Sequence, residues 1–99
     1  MPEAPSPGTH GPVSALVAAA LRGDPGAWEQ LVRSHARLVY GVVRQAGLDG
    51  SEGDEFFHQV WLCAWERLGT LPEGARFDAW LATLAIHQVR RVLAQRRLA

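Results

Sequence analysis

Apolar residues recur along this chain at intervals of three and four, and nowhere do they alternate as a half-buried strand requires. The clearest run follows Asp24-Pro25, a capping acid with proline at the first helical position. From there Trp28, Leu31, Val32, His35, Leu38, Val39, Val42, Val43 and Ala46 recur at helical spacing, and Gly47 ends the run. Ahead of it, Ser14 predicts the cap of a short Ala/Leu helix reaching to about Arg22. Ser51 and Asp54 predict a capping-box-like start for a third helix. Its core stripe reads as Phe57, Val60, Trp61, Ala64, Trp65 and Leu68, with Gly69 as its stop. Thr70 to Ala75 reads as a loop. A last helix is predicted from about Arg76 to the C-terminus, with Phe77, Trp80, Leu81, Leu84, Ala85, Gln88 and Val92 facing inward. Residues 1–12 hold Pro2, Pro5, Pro7 and Pro12 with Gly8 and Gly11, which predicts a flexible leader. The fold class is therefore all-α: a leader over 1–12, then four helices forming one domain over 13–99.

Length agrees with that reading, because 99 residues enclose one small core and not two. Cys63 is the only cysteine, so no intrachain disulfide forms and nothing argues for an oxidising compartment. No apolar run approaches the roughly 20 residues of a membrane span, and the N-terminus lacks the basic-then-apolar order of a signal peptide. The expectation is a cytoplasmic protein with no membrane partner.

Net charge is zero but unevenly placed. Residues 49–78 carry seven acids (Asp49, Glu52, Asp54, Glu55, Glu66, Glu73, Asp78) against Arg67 and Arg76, a balance of −5. Residues 79–99 carry Arg90, Arg91, Arg96 and Arg97 and no acid, a balance of +4. Such an end suits phosphate, although cations also suit a helix C-terminus on dipole grounds alone.

On a helical wheel, Glu55, His58, Gln59, Leu62 and Glu66 of the third helix lie opposite its core stripe. An outward leucine ringed by polar and acidic side chains has the form of a small docking patch, although single exposed leucines are common on protein surfaces. The outward face of the fourth helix is Ala79, Ala82, Thr83, Ile86, Arg90, Leu93 and Arg97. Catalytic readings find no support. His35, His58, His87 and Cys63 lack the paired spacing of a metal site, and His58 and Cys63 sit about 140° apart on their helix. There is no Gly-rich phosphate loop and no nucleophile-base pair, so neither cofactor nor metal is expected. His35 reads as a partly buried packing residue and Cys63 as a small helical filler.

Three strings appear in order: Arg22-Gly23-Asp24-Pro25, Trp61-Leu62-Cys63-Ala64-Trp65, and Phe77-Asp78-Ala79-Trp80-Leu81. In that order and spacing the chain resembles region 2 of extracytoplasmic-function sigma factors of bacterial RNA polymerase, from residue 13 to about 97. The resemblance implies that the third helix grips the clamp helices of the largest polymerase subunit. It also implies that the fourth helix meets the melted promoter strand, and that the loop after Thr70 lies where such factors capture a flipped base. The contact positions differ from the usual pattern. That pattern has arginine at positions 83 and 86, asparagine at 87 and aspartate at 91, where this chain has Thr83, Ile86, His87 and Arg91. His58-Gln59 replaces the usual Gln-Glu, and Pro72, Glu73 and Gly74 make a poor base pocket.

The leading reading is thus a non-enzymatic sigma region 2 domain. It docks on core RNA polymerase through Glu55, His58, Gln59 and Leu62, and meets promoter DNA through Arg90, Arg91, Arg96 and Arg97. The alternative is a sigma-like adaptor that keeps the scaffold but binds a protein (an anti-sigma factor, polymerase or a second copy of itself) through Leu62 or the Ile86 face. The helix-turn-helix domain that complete sigma factors of this kind carry is absent from these 99 residues.

Overall fold

Four α-helices and one 3-10 turn make up residues 12–98, the part of the chain that the computed structural model describes. They are α1 (Pro12–Leu21), α2 (Pro25–Gln45), α3 (Gly50–Arg67), the 3-10 turn Leu68–Thr70, and α4 (Phe77–Leu98). No strand occurs among these residues, so the all-α expectation holds. The predicted leader lies outside the described residues, apart from Pro12, which already belongs to α1.

Local chemistry accounts for most boundaries. The Asp24 carboxylate accepts from the backbone N–H of Gly26 at 2.9 Å and of Ala27 at 3.4 Å, and Pro25 occupies the first turn, as the sequence predicts. At the other end of α2, Gly47 N donates to Arg44 O and Leu48 N donates to Val43 O. This is a Schellman ending, and it needs the positive φ of 81° that glycine supplies without strain.

Two predicted starts are corrected. Ser14 is not a cap, because α1 begins two residues earlier at Pro12. The Ser51–Asp54 capping box does not form either. Asp49 holds the N-cap position of α3 without a side-chain cap bond, and Ser51 is already helical. The early start follows from packing. Gly53 is buried against the Leu48 carbonyl, where a Cβ would come within 2.9 Å, so the chain turns tightly from α2 into α3.

Leu31, Val39, Val43, Val60, Leu81 and Ala85 are almost wholly buried, which places the core between α2, α3 and α4. Val17 and Ala20 bring α1 onto the same core. Helix directions follow from pairs. Trp28 meets Trp65 while Tyr40 meets Phe57, so α2 and α3 are antiparallel. Cys63 meets Gln88 while Glu52 meets Arg96, so α3 and α4 are antiparallel too.

The predicted stripe of α3 needs one correction. Gly53, Phe56, Val60, Trp61 and Ala64 are the buried positions, whereas Phe57 is half-buried and Trp65 is 45% exposed. The buried face is turned from that stripe toward Phe56. Two adjacent phenylalanines and two tryptophans four apart fit either setting by periodicity, and the Gly53–Leu48 contact selects this one. Trp80, expected in the core, is half-buried. Trp61 is 6% exposed and its Nε1 has no hydrogen-bond acceptor among the described residues.

Candidate polymerase and nucleic-acid interface

The register of α3 decides what it offers outward. Glu55, His58, Gln59 and Leu62 are all exposed, Leu62 at 60%, as the wheel predicts. His58 Nδ1 lies 2.8 Å from the Asp54 carbonyl oxygen, so Nδ1 carries the donated proton and Nε2 is left for a partner. Trp65, three residues on from Leu62, joins this face instead of the core. Its ring lies 5.0 Å from that of Trp28, edge to face, and Trp28 in turn packs against Trp61 at 5.7 Å. The outward face of α3 is therefore larger and more aromatic than the wheel alone predicts. The signal that could have revealed it is the polar pair Glu66-Arg67 beside Trp65, both exposed.

On α4 the four predicted arginines are exposed, but they are not equivalent. Arg96 is paired with Glu52 at the start of α3. Arg90, Arg91 and Arg97 form no ion pair among the described residues. Of the other positions expected to face outward on α4, Ala79, Thr83 and Ile86 are exposed, Ile86 at 38%, whereas Ala82 and Leu93 are half-buried and Leu93 packs against the core; His87 is exposed as well. The outward α3 set and the basic α4 set stand on different helices. Among the described residues, Glu52–Arg96 is the one ion pair joining α3 to α4.

Between α3 and α4 opens a cleft of about 480 Å³ that sequence reasoning did not anticipate. Its lining includes Cys63, Arg67, Trp80, Thr83, His87 and Arg91. Cys63 is half-buried, and the Gln88 side-chain amide donates to its sulfur at 3.1 Å. The filler role expected for Cys63 is thus incomplete, since the thiol also lines an opening. His35 behaves as expected: it is half-buried, its Nδ1 lies 2.9 Å from the Leu31 carbonyl oxygen, and its ring packs on Phe77 at 4.8 Å.

The loop from Leu71 to Arg76 is closed by Ala75 N donating to Pro72 O at 3.0 Å, with Gly74 at a φ of 79°. Arg76 donates to Asp78 at 2.7 Å. That guanidinium bond, aided by the Ala79 N–H and opposed by desolvation, holds the Asp78 carboxyl below its ordinary value. The positive charge of Arg76 is thereby partly offset, and Glu73 adds a negative one. Among the described residues no three metal-ligating side chains converge, and no helix is long and apolar enough to cross a membrane.

The sequence matches Sigma-70 region 2 over residues 31–98. It is also 29% identical over 76 residues to the RNA polymerase sigma factor NccH of Alcaligenes xylosoxydans xylosoxydans. That similarity covers 77% of this chain and 41% of NccH, so the chain spans about two fifths of the curated relative it matches. No solved structure matches significantly. The family match takes in most of α2, all of α3 and all of α4, the helices that carry the core and both candidate faces, and the chain belongs to the Sigma-70 region 2 family.

Proposed function

We propose that residues 13–99 act in the cytoplasm as a sigma-type domain that docks on core RNA polymerase and holds promoter DNA in its strand-separated form. Docking runs through Glu55, His58, Gln59 and Leu62 of α3, with Trp65 extending the patch, onto the clamp helices of the largest subunit. Strand contact runs through Arg90, Arg91 and Arg97, with Arg96 available once it leaves Glu52. The mechanism is binding: a domain that favours the open state over the duplex shifts that equilibrium by its difference in affinity. The observation that carries the reading is the 60% exposure of Leu62 beside the exposed Trp65, on the α3 face of a chain in the sigma region 2 family. Apolar anchors ringed by polar groups are what a binding hot spot requires.

A second reading has its own support. Thr83, Ile86, His87 and Arg91 depart from the pattern that the resemblance implies for strand contact, and Ile86 is exposed. A sigma-like adaptor, bound to an anti-sigma factor or to polymerase without reading DNA, would carry those changes at no cost. Co-elution of the purified chain with core polymerase, competed by a clamp-helix fragment, tests the first reading. No co-elution of a folded chain sinks it.

A further inference from the structure

We infer that the cleft between α3 and α4 is a binding site for a phosphorylated small molecule with a planar ring, of the mononucleotide class. Arg67 enters the lining from α3, and Arg90 and Arg91 enter it from α4. None of the three forms an ion pair among the described residues, and no aspartate or glutamate belongs to the lining. Three like charges around one concavity repel, and a bound dianion relieves that repulsion. Every cation among the chain's Lys and Arg residues is arginine, whose planar fork matches phosphate oxygens in pairs.

The rest of the lining suits the remainder of such a ligand. Because α3 and α4 are antiparallel, Trp80 and Thr70 mark one end of the cleft and Arg91 with Cys63 the other. Eleven residues of helix separate Trp80 from Arg91, about 16 Å at 1.5 Å per residue. Cys63 meets Gln88, so Arg67, one turn further along α3, stands level with Leu84. A phosphate held midway, about 8 Å from Trp80, lies between Arg67 and the two arginines of α4 while a ring stacks at the Trp80 end. Thr83, His87 and Gln88 between them supply donors and acceptors for a sugar or base edge. The volume, about 480 Å³, lies in the range of small-ligand sites. This inference does not need the promoter reading, although Arg90 and Arg91 are common to both, so ligand and strand would compete.

Cys63 provides the assay, because it is the only cysteine and lines the cleft. Its reaction with a neutral aromatic disulfide is followed by absorbance while AMP, adenosine, inorganic phosphate, a ring-free sugar phosphate or a single-stranded oligonucleotide is added. AMP is expected to slow labelling saturably at submillimolar concentration, more strongly than adenosine or inorganic phosphate. Arg67→Gln, at an exposed position with no ion pair among the described residues, is expected to raise the half-saturating concentration about tenfold with an unchanged thermal melt. Labelling unaffected by AMP at millimolar concentration overturns the inference. So does protection by the oligonucleotide alone, or equal protection by inorganic phosphate and AMP.

Discussion

The indole rings of Trp28 and Trp65 lie 5.0 Å apart, edge to face, although Trp65 is 45% exposed. The pair fastens the start of α2 to the end of α3 while much of the Trp65 indole stays at the surface. Trp65→Ala is therefore expected to cost only about 1–2 kcal/mol, the worth of an aromatic pair and a partly buried ring. Leu81→Ala, at a wholly buried position, should cost about 2–5 kcal/mol. Urea unfolding of both variants checks the ordering. A loss at Trp65 as large as at Leu81 would mean that the indole is a core residue.

That comparison also marks the limit of what the sequence carried. Helix number, the Asp24 cap and the Gly47 stop were legible because capping chemistry and period act locally. The rotation of α3 was not. Phe56-Phe57 and Trp61/Trp65 satisfy two settings of the wheel, and the choice rests on Gly53 meeting the Leu48 carbonyl, a contact with no periodic signature. The outward positions of Glu55, His58, Gln59 and Leu62 survived because they lie far from the ambiguous edge. The Glu52–Arg96 pair joins residues 44 apart in sequence and has no local signal at all.

Leu62→Arg separates folding from docking. With Leu62 exposed at 60%, the variant should keep the stability of the parent within about 0.5 kcal/mol. Binding to core polymerase should weaken by up to about 2 kcal/mol if Leu62 anchors the patch. Thermal melts and a polymerase titration give the two numbers. Undiminished affinity in a folded variant would remove this face from the proposed interface.

Asp78 gives a pH dependence of known sign. Its carboxyl is held below the ordinary value near 3.8, chiefly by the hydrogen bond from Arg76. A lowered folded-state value means that this stabilisation is present above the ordinary value and is lost as pH falls through the folded one. Arg76→Gln should move the Asp78 titration upward and flatten the acid limb of the stability curve. Carboxyl-detected NMR follows that titration directly. Identical midpoints in parent and variant would show that the Arg76 bond does not persist in solution.

Salt dependence tests the basic end of α4 and the restraint placed on it. With no ion pair at Arg90, Arg91 or Arg97 among the described residues, three phosphate contacts predict a log–log slope of about −2.1 for single-stranded DNA. Glu52→Gln removes the partner of Arg96, adds a fourth available cation, and should steepen the slope toward about −2.8. Fluorescence anisotropy with non-template-strand oligonucleotides across a salt series measures both. Because Thr83 and Ile86 add no charge to this face, binding by the isolated domain should be weak and tolerant of sequence. A slope near zero in both proteins, together with a stable protein complex blocked by substitution at Ile86, would favour the adaptor. A slope that steepens in Glu52→Gln would place Arg96 on the strand and make its ion pair a restraint on DNA contact.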